Sequence, residues 1–410
     1  MLPEGFKNSE IGPVPKDWEV KELGEMFIQI LGGGTPSRVK VEYWHGDLPW
    51  ATVKDISNFS PIDTQEHISS DAVKGSSTRI IPAGTLIVTM RMSIGKVVIY
   101  QVDVAINQDL KALVVCDHAS VAYTKYIIES ISGSLEELAS GSTVKGLPLT
   151  VFTKYLVSVP PLSEQVAIAT ALSDIDALIS AQEELLAKKR AIKQGAMQEL
   201  LTGRRRLPGF PVRPMKQTDI GLIPEDWEVK ELGETLTICH GKSQHEVEAP
   251  YAPFPIMATG GQIGWATECL YDKPSVLIGR KGTIDKPQYI EKPFWTVDTL
   301  FYSKVYQGYI PKFLYYKCLT IDWCSHNEGT GLPSLNATRI QQIPIGIPSS
   351  ISEQAAIAAV LSDMDAEITA VEEELAKHRA LKRGMMQDLL SGRIRLPYKK
   401  STHKKQNAGE

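Results

Sequence analysis

The stretch that decides the fold is SEQVAIATALSDIDALISAQEELLAKKRAIKQGAMQELLTGRRRL, at residues 163–207, because the chain contains it twice. Residues 352–396 repeat it with 30 of 45 positions identical, at an offset of 189 residues from Ser163 to Ser352. Agreement on this scale indicates duplication within the chain. Two copies are too few for a solenoid, which needs three or more stacked units. The sequence therefore predicts two related halves.

Each copy is predicted to form one long helix. From Ser163 to Gly203 there is no proline, and Gly195 is the only internal glycine. Ser163 and Ser352 are the predicted N-caps of the two helices. Gly203 and Gly392 suit the C-terminal ends, where glycine commonly stops a helix. The long helices are thus expected to begin at the serines and end near the glycines.

Apolar residues recur in each copy at the spacing of a heptad repeat, which is typical of the seam between paired helices. The predicted seam positions are Leu172, Ile175, Ile179 and Leu186 in the first copy, and Leu361, Met364, Ile368 and Leu375 in the second. A helix of about 38 residues spans about 55–60 Å. A single apolar stripe needs a partner, and the other copy is the simplest one. We expect an antiparallel pair, which brings the end of the second helix back to the start of the chain.

A second apolar row distinguishes the first copy from the second. It consists of Leu178, Leu185 and Ile192, which correspond to Glu367, Glu374 and Leu381. Two explanations stay open for this broader apolar face. It contacts a further subunit, or it packs against the variable domains that lie between the repeated parts of the chain.

A shorter motif, here called the box, is also duplicated. IGPVPKDWEVKELGE at residues 11–25 returns as IGLIPEDWEVKELGE at residues 220–234, with 12 of 15 positions identical. Its proline favours a turn, and Trp18 or Trp227 is large enough to anchor the base of a domain. The box is therefore interpreted as a joint that seats a domain, and the two tryptophans are the predicted domain-seating residues.

The segments between box and helix, residues 26–160 and 235–349, share little obvious sequence. We call them the variable segments. Stretches such as GTLIVTMRMSIGKVVIY (84–100) and PSVLIGRKGTIDKPQYI (274–290) predict mixed α/β structure with many short strands. Each variable segment ends in a loop rich in glycine and hydroxyl residues, at 139–150 and 327–339. Such loops suit contact with base edges or phosphates, or they are simple flexible connections to the helix.

Basic and hydroxyl residues recur near a predicted turn in both variable segments. Arg91, Ser93 and Lys96 align with Lys281, Thr283 and Lys286. These side chains suit phosphate contact. The alternative is an ordinary basic hairpin on a solvated surface, and the sequence alone does not separate the two.

Composition and motifs restrict the classes of function. The net charge is −4, so any surface for nucleic acid must be a local patch, or partner subunits must supply the rest of the positive charge. None of the five cysteines forms a C-x-x-C pair, and the eight histidines lack metal-ligand spacing. There is no Walker A loop, no G-x-G-x-x-G after a strand, and no Asn/Asp-Pro-Pro-aromatic motif of an adenine methyltransferase. The polar N-terminus and the absence of a long apolar run predict a cytoplasmic protein that does not enter the membrane. These absences favour a chain that is not itself an enzyme.

The arrangement of P-x-D-W-E-x-x-x-L-G-E boxes and S-E-Q-x-x-I-A-x-x-L-S-D-x-D helices resembles the specificity subunit of type I restriction-modification systems, which act in bacterial defence. The resemblance runs from about residue 11 to residue 396 and includes YWHGDLPW (43–50), AINQDLKAL (105–113) and FWTVDTLFY (294–302). It implies a mixed α+β fold. Two α/β target recognition domains are separated by an antiparallel pair of long coiled-coil helices, with a pseudo-two-fold internal repeat.

The resemblance also implies boundaries. Residues 1–160 form the first box and recognition domain, 161–207 the central spacer helix, and 208–350 the second box and recognition domain. Residues 351–397 form the C-terminal spacer helix, and 398–410 are expected to be a disordered basic tail.

The function implied by the resemblance is recognition of double-stranded DNA with a bipartite site. Each recognition domain recognises one half of the site, and the helix pair sets the gap. Two modification (methyltransferase) subunits supply S-adenosylmethionine chemistry, and restriction/translocase subunits use ATP and Mg. No cofactor or metal is expected on this chain.

The DNA-contact candidates that the resemblance indicates are Arg91, Ser93, Lys96, Thr143, Lys145, Arg280, Lys281, Thr283, Lys286, Thr330 and Arg339. The alternatives are a protein-interaction scaffold with degenerate recognition domains and a self-contained enzyme.

Overall fold

The computed structural model describes residues 4–140 and 145–397. It divides into two compact units. Unit 1 contains the residues up to 181 together with those from 375 onward, and unit 2 contains residues 182–374. The predicted tail at 398–410 and the candidate Thr143 lie outside the described residues. The boundaries of the five segments that were derived from the sequence stay a prediction.

The first half of the chain ends in a helix of 39 residues, Leu162–Leu200. The strands before it are β1 (Phe6–Ser9), β2 (Gly12–Pro15), β3 (Glu19–Glu22), β4 (Phe27–Gly32), β5 (Leu48–Ala51), β6 (Glu66–Ile68), β7 (Ile80–Ile81), β8 (Leu86–Thr89), β9 (Val97–Ile99), β10 (Val104–Ile106), β11 (Leu110–Val115) and β12 (Leu156–Val159). The helices are α1 (Val53–Ser57), α2 (Ser70–Lys74), α3 (Val121–Glu137), α4 (Leu149–Thr153) and the long α5 (Leu162–Leu200), with short 3-10 turns at Leu23–Met26 and Val41–Trp44.

Two four-stranded sheets form the variable segment of unit 1. One has the order β4-β11-β8-β9 and is antiparallel throughout. The other has the order β6-β5-β10-β7 and contains one parallel pair, β5 with β10. All four residues of β8 are buried, because this central strand is covered on both faces. The box strand β3 pairs with β12, the strand that leads into α5.

The second half ends in a helix of 40 residues, Ile351–Leu390. Its strands are β13 (Met215–Thr218), β14 (Gly221–Pro224), β15 (Trp227–Glu231), β16 (Leu236–His240), β17 (Phe254–Ala258), β18 (Gly261–Ala266), β19 (Ser275–Gly279), β20 (Gln288–Ile290), β21 (Trp295–Thr296), β22 (Leu300–Val305) and β23 (Pro344–Pro348). The helices are α6 (Pro311–Cys318), α7 (Ala337–Gln341) and the long α8 (Ile351–Leu390), with 3-10 turns at Leu232–Glu234 and Trp323–His326.

Unit 2 repeats most of the strand topology of unit 1 although the variable segments differ in sequence, but its second sheet has three strands where that of unit 1 has four. Its antiparallel sheet has the order β16-β22-β19-β20, which matches β4-β11-β8-β9 strand for strand. Its second sheet, β18-β17-β21, again contains one parallel pair, β17 with β21. The box strand β15 pairs with β23, the strand that leads into α8. The predicted mixed α+β fold with an internal repeat is confirmed.

Each unit has a core that joins the box to the ends of both long helices. In unit 1, Trp18 shares a buried cluster with Leu172 of α5 and Leu390 of α8. In unit 2, Trp227 shares a cluster with Leu201 and with Leu361 of α8. The start of one helix therefore lies beside the end of the other within each unit, as the predicted antiparallel pairing requires.

Ion pairs between the two long helices also show that they run antiparallel. In unit 2, Lys189 Nζ lies 2.6 Å from Glu367 Oε2, and Lys193 pairs with Asp365. Residue numbers thus fall along α5 as they rise along α8. In unit 1, Lys382 Nζ lies 2.6 Å from Asp176 Oδ1. These pairs are partly exposed, and such pairs fix the register of the helices more than they add to stability.

The predicted N-caps, Ser163 and Ser352, are wrong because each serine lies inside its helix. Both long helices begin one residue before the serines, at Leu162 and Ile351. The carbonyl of Pro161 accepts the N–H groups of Glu164 and Gln165, because a helix that has started accepts at the capping residue. Ser163 is therefore the second helical residue.

The seam candidates differ in burial. Leu172, Ile175, Leu186, Leu361 and Leu375 are buried, and Ile179, Met364 and Ile368 are half-buried. Two further buried seam positions escaped the sequence analysis, Gln182 and Val371. Because the repeat offset is 189, they correspond to each other. The second row stays exposed, at 42% for Leu178, 43% for Leu185 and 53% for Ile192.

Among the residues that the structure describes, no helix is both long and apolar enough to cross a membrane.

Candidate nucleic-acid interface

Two loops that are distant in sequence meet at one end of the antiparallel sheet of unit 1. Arg91 lies just after β8 and forms an isolated antiparallel bridge with Gly146. The Met92 N–H donates to the Lys145 carbonyl at 3.2 Å. The Leu147 N–H donates to the Met90 carbonyl at 2.9 Å. Arg91 and Lys145, two sequence candidates, are therefore brought together by backbone hydrogen bonds.

Arg91 projects into an open cleft of about 440 Å³ that Ser140, Gly146 and Pro148 also line. Its side chain is 58% exposed, and its Nη1 lies 3.4 Å from Asp109 Oδ1. Such a long contact with one carboxylate leaves most of the guanidinium donors directed to solvent. The cleft therefore offers hydrogen-bond donors and positive charge to an acceptor-rich ligand.

Ser93 and Lys96 occupy the β8–β9 turn, but they do not share the Arg91 cleft. The Ser93 carbonyl accepts the Thr89 hydroxyl, and Gly95 takes a φ of +76°, which a side chain rarely adopts. Lys96 lines a separate cleft of about 570 Å³ with Lys125 and Lys382. Arg91 and Lys96, which the sequence places near one turn, thus line two different clefts.

Unit 2 builds the same loop pair in the same register. Lys281 lies just beyond β19 and bridges with Ser334. The Gly282 N–H donates to the Pro333 carbonyl at 2.9 Å, and the Leu335 N–H donates to the Arg280 carbonyl at 2.9 Å. These bonds equate Lys281 with Arg91. The alignment of the basic residues made from sequence therefore has a structural counterpart.

Arg280 and Lys281 border a cleft of about 310 Å³ that His240, Asn336 and Thr338 also line. The Arg280 Nη1 donates to the Asp298 carbonyl at 3.1 Å, and Lys281 is exposed. Asn336 is the N-cap of α7 and accepts the Thr338 N–H at 2.9 Å. Amide, imidazole and guanidinium groups are the kinds of side chain that form hydrogen bonds with base edges.

The remaining candidates of unit 2 lie around this cleft or on the adjoining turn. Arg339 is exposed, and its Nε lies 2.7 Å from Glu328 Oε1. Thr330 and Lys286 are exposed, and Thr283 is half-buried. The contact of each candidate with DNA stays a prediction.

Sequence reasoning missed His240, Asn336 and Thr338 in unit 2 and Met92 in unit 1. Each lies within two residues of a strand end, a bridge or a candidate that was named. Single polar residues carry no periodic signal, so their placement depends on the long-range pairing of the two loops.

The box of unit 1 is held by a buried carboxylate at the start of α5. Trp18 is fully buried, and its Nε1 donates to Glu164 Oε2 at 3.0 Å. Arg395, just beyond α8, donates to both Asp17 oxygens, at 2.9 and 2.8 Å, and to Glu164 Oε2 at 2.7 Å. These carboxylates raise the pKa of Arg395, Asp17 contributing most. One arginine thus fastens the helix end to the box and to the other helix.

Unit 2 uses the same ion-pair network with Arg206, just beyond α5. Arg206 donates to both oxygens of Asp226, at 2.9 and 3.1 Å, and to Glu353 Oε2 at 2.7 Å. The Arg206 guanidinium lowers the pKa of Asp226. Burial raises the pKa of Glu353, and Arg206 opposes that shift. The signal for both arginines was present in sequence, as the R-x-R-L that ends each copy of the helix repeat.

The described residues contain no group of three or more His, Cys, Asp or Glu side chains arranged to hold a metal ion.

Comparisons with known proteins agree on one family. The profile described as the type I restriction modification DNA specificity domain matches twice, at residues 15–189 and 224–378. The specificity subunit of the type I restriction enzyme MjaIX of Methanocaldococcus jannaschii is 32% identical over 266 residues, which cover 62% of this chain and 60% of that protein. The EcoR124I/EcoR124II specificity subunit of Escherichia coli is 31% identical over 196 residues, 46% of each chain. The chain therefore spans about half the length of the curated relatives it matches.

Solved structures extend the likeness of fold to nearly the whole chain. The crystal structure of the type I restriction-modification S subunit from M. genitalium superposes with a TM-score of 0.67 at 16% identity, covering 95% of this chain and 99% of that one. A chain from a study of complex assembly and conformational transition of the type I system gives 0.52 at 15% identity, covering 93% and 99%.

Proposed function

Because the chain belongs to the type I restriction modification DNA specificity family, we propose that it is the DNA sequence-specificity subunit of a type I restriction-modification complex. Each unit recognises one half of a bipartite site in double-stranded DNA, and the α5–α8 helix pair sets the gap between the halves. The observation that carries this proposal is the loop pair. The two variable segments differ in sequence, yet each brings cationic residues to the corresponding end of its own antiparallel sheet, in the same register.

The proposed chain acts by recognition alone, and its partners perform the chemistry. Two modification subunits methylate DNA with S-adenosylmethionine, and restriction/translocase subunits add ATP- and Mg-dependent steps. The exposed row Leu178, Leu185 and Ile192 supports a contact with such a partner, because long apolar side chains in one row on a helix commonly mark an interaction surface. The chain functions in the cytoplasm, where its DNA target is.

A charge-reversal experiment tests the proposal. We expect Lys281→Glu to weaken binding of the assembled complex to its DNA site. The slope of log affinity against log salt should fall by about 1 for each phosphate that the variant no longer neutralises. The matched control is Lys312→Glu, because Lys312 Nζ lies 3.3 Å from Glu291 Oε1, toward the other end of the β19–β20 pair.

Equal DNA affinity of the two variants and the unaltered complex would contradict DNA recognition by unit 2. That result would instead favour the scaffold, in which the variable segments bind protein. Methylation mapping of the host genome identifies the two half-sites and the gap directly.

A further inference from the structure

Met92 combines two properties that seldom occur together. Its φ is +64°, in the left-handed region, where a bulky side chain is uncommon. Its side chain is 64% exposed, although methionine usually contributes to a core. Apart from glycines, Met92 and Tyr251 are the two described residues with positive φ. Burial therefore does not explain why a strained position carries this side chain.

The strained backbone is held by its neighbours. The Met92 N–H donates to the Lys145 carbonyl at 3.2 Å, and the Ser93 N–H donates to the Arg91 carbonyl at 2.9 Å. These bonds fix the tip of the β8–β9 loop, where Met92 lies beside Arg91 and Lys145. Strain of this kind persists where surrounding structure enforces it, and it is concentrated at functional sites.

The register of the two units identifies the counterpart of Met92. The Met92 N–H donates to the Lys145 carbonyl, and the Gly282 N–H donates to the Pro333 carbonyl in the same way. Met92 and Gly282 are therefore equivalent. Gly282 has a φ of +88°. The backbone shape is thus common to both units, and glycine is the residue that adopts it without strain. Unit 1 carries a thioether side chain where unit 2 has none.

We propose that Met92 is a specificity-determining residue that contacts the methyl group of a thymine in the half-site that unit 1 recognises. This inference rests on the proposed DNA-recognition function. Arg91 and Lys145 flank Met92 and supply cationic groups that position a DNA backbone. Among the groups in the major groove, the thymine methyl is the one that apolar side chains contact. The flexible, polarisable thioether adapts well to such a surface.

The proposal distinguishes the two half-sites. Gly282 offers no side chain, so unit 2 lets its loop backbone approach the DNA closely at the equivalent point. Unit 1 instead presents an apolar contact there. A thymine preference that comes from this loop position is therefore expected only in the half-site of unit 1.

The test measures binding of the full chain, assembled with its modification subunits, to a library in which each base of both half-sites is varied. Wild type, Met92→Gly and Met92→Ala are compared. We expect both variants to relax the preference at one position of a single half-site, and that position to be a thymine in wild type. Replacing that thymine by uracil removes only the methyl group, so affinity of wild type should fall about three- to five-fold. Met92→Gly should not respond to the replacement, and Met92→Ala, with its shorter apolar side chain, should respond less than wild type.

The control is Ile28→Ala. Ile28 is 68% exposed and lies in β4 at the opposite end of the sheet from Arg91, so its replacement should change no base preference. Melting temperatures confirm that each variant is folded. Met92→Gly places at this position the residue that unit 2 has there, so we expect it to fold. The inference is overturned if neither Met92 variant alters a preference, if the relaxed position is not thymine, or if uracil weakens wild type and variants equally. Absence of any sequence preference in the wild-type complex would instead refute the proposed function.

Discussion

The same helix-end carbonyl is capped by different side chains in the two units. In unit 1, the Ser158 hydroxyl donates to the Leu390 carbonyl at 3.2 Å. In unit 2, Lys317 Nζ donates to the Leu201 carbonyl at 2.9 Å. Gly346 occupies the position of Ser158 in the matching strand and has no hydroxyl to offer. Where unit 2 lacks the serine hydroxyl, the lysine donates to the equivalent carbonyl instead. The sequence repeat alone does not reveal this exchange of donors.

Ser158→Ala should destabilise unit 1 by about 1 kcal/mol, because it leaves the Leu390 carbonyl in a buried setting without this donor. Thermal unfolding of the full chain measures the change in stability. Gly346→Ala is a poor control, since a Cβ at that glycine would lie 3.2 Å from Ile223 Cγ2. Ser325→Ala is suitable, because its hydroxyl donates to Asp322 in an exposed turn. An equal effect of both serine substitutions would contradict the assignment.

Lys317 makes the stability of unit 2 depend on pH. Burial lowers the pKa of its ammonium group from 10.5 to about 8. Between these values the unfolded chain binds the extra proton, so the contribution of Lys317 to stability rises with pH and is least favourable below pH 8. Relative to Lys317→Met, wild type should gain up to about 3 kcal/mol from pH 8 to pH 10.5. Unfolding at several pH values measures this difference.

Lys312→Met serves as the matched lysine substitution, since Lys312 is half-exposed beside Glu291. It measures the effect of removing one lysine outside the core. A stability difference between wild type and Lys317→Met that does not change with pH would contradict the lowered pKa of Lys317.

At the scale of elements, the long helices end on the boxes through glycine. Gly203 follows α5 with a φ of +70°, and a Cβ there would lie 2.5 Å from Pro224 Cγ and 3.2 Å from Trp227 Cε2. Gly392 follows α8 with a φ of +69° and meets Pro15 and Trp18 in the same way. The glycine at the helix end and the tryptophan of the box, which were predicted separately from the sequence, are therefore in contact.

Gly203→Ala should destabilise unit 2 by at least about 1–2 kcal/mol, because alanine resists the left-handed conformation and its Cβ overlaps the box. Gly195→Ala, within α5 and facing open space, should instead stabilise the chain by about 1 kcal/mol. Thermal unfolding distinguishes the two signs. A stabilising effect at Gly203 would show that the helix end does not press on the box.

The elements that sequence predicts well are those with a repeated or periodic signal. The two long helices, their antiparallel pairing and the mixed fold follow from the heptad spacing and the duplication. The helix starts were misplaced because the carbonyls of Pro161 and Ser350 accept the first helical bonds before the serines. The clefts were beyond prediction, since Arg91 and Gly146 are brought together by pairing of distant loops. Lys96 faces another cleft, which it lines together with Lys125 of α3 and Lys382 of α8.

At the scale of the whole molecule, the proposed function treats the helix pair as a spacer. The two compact units divide between residues 181 and 182 and between residues 374 and 375, within α5 and α8 respectively. Insertion of one heptad at both points keeps the apolar rows in register and lengthens each helix by about 10 Å. With about 3.4 Å between base pairs, the recognised gap should grow by about three base pairs while both half-sites stay unchanged.

Methylation mapping of a host that carries the insertion variant measures the gap. Insertion of the same heptad in α5 alone is the control, since it shifts the two helices out of register and should impair assembly. A changed half-site sequence, or an unchanged gap in a complex that still methylates, would contradict the spacer function.

The two units differ in how the chain closes them, and this affects the order in which they are completed during synthesis. Unit 2 is one continuous segment, residues 182–374, and all its ion pairs with Arg206 form within that segment. Unit 1 needs residues from both ends, because Arg395 must reach Asp17 and Glu164. The ribosome therefore releases every residue of the second unit before the first one can close. A nascent chain stopped before residue 375 would hold a complete second unit and an N-terminal half that still lacks its final helix segment.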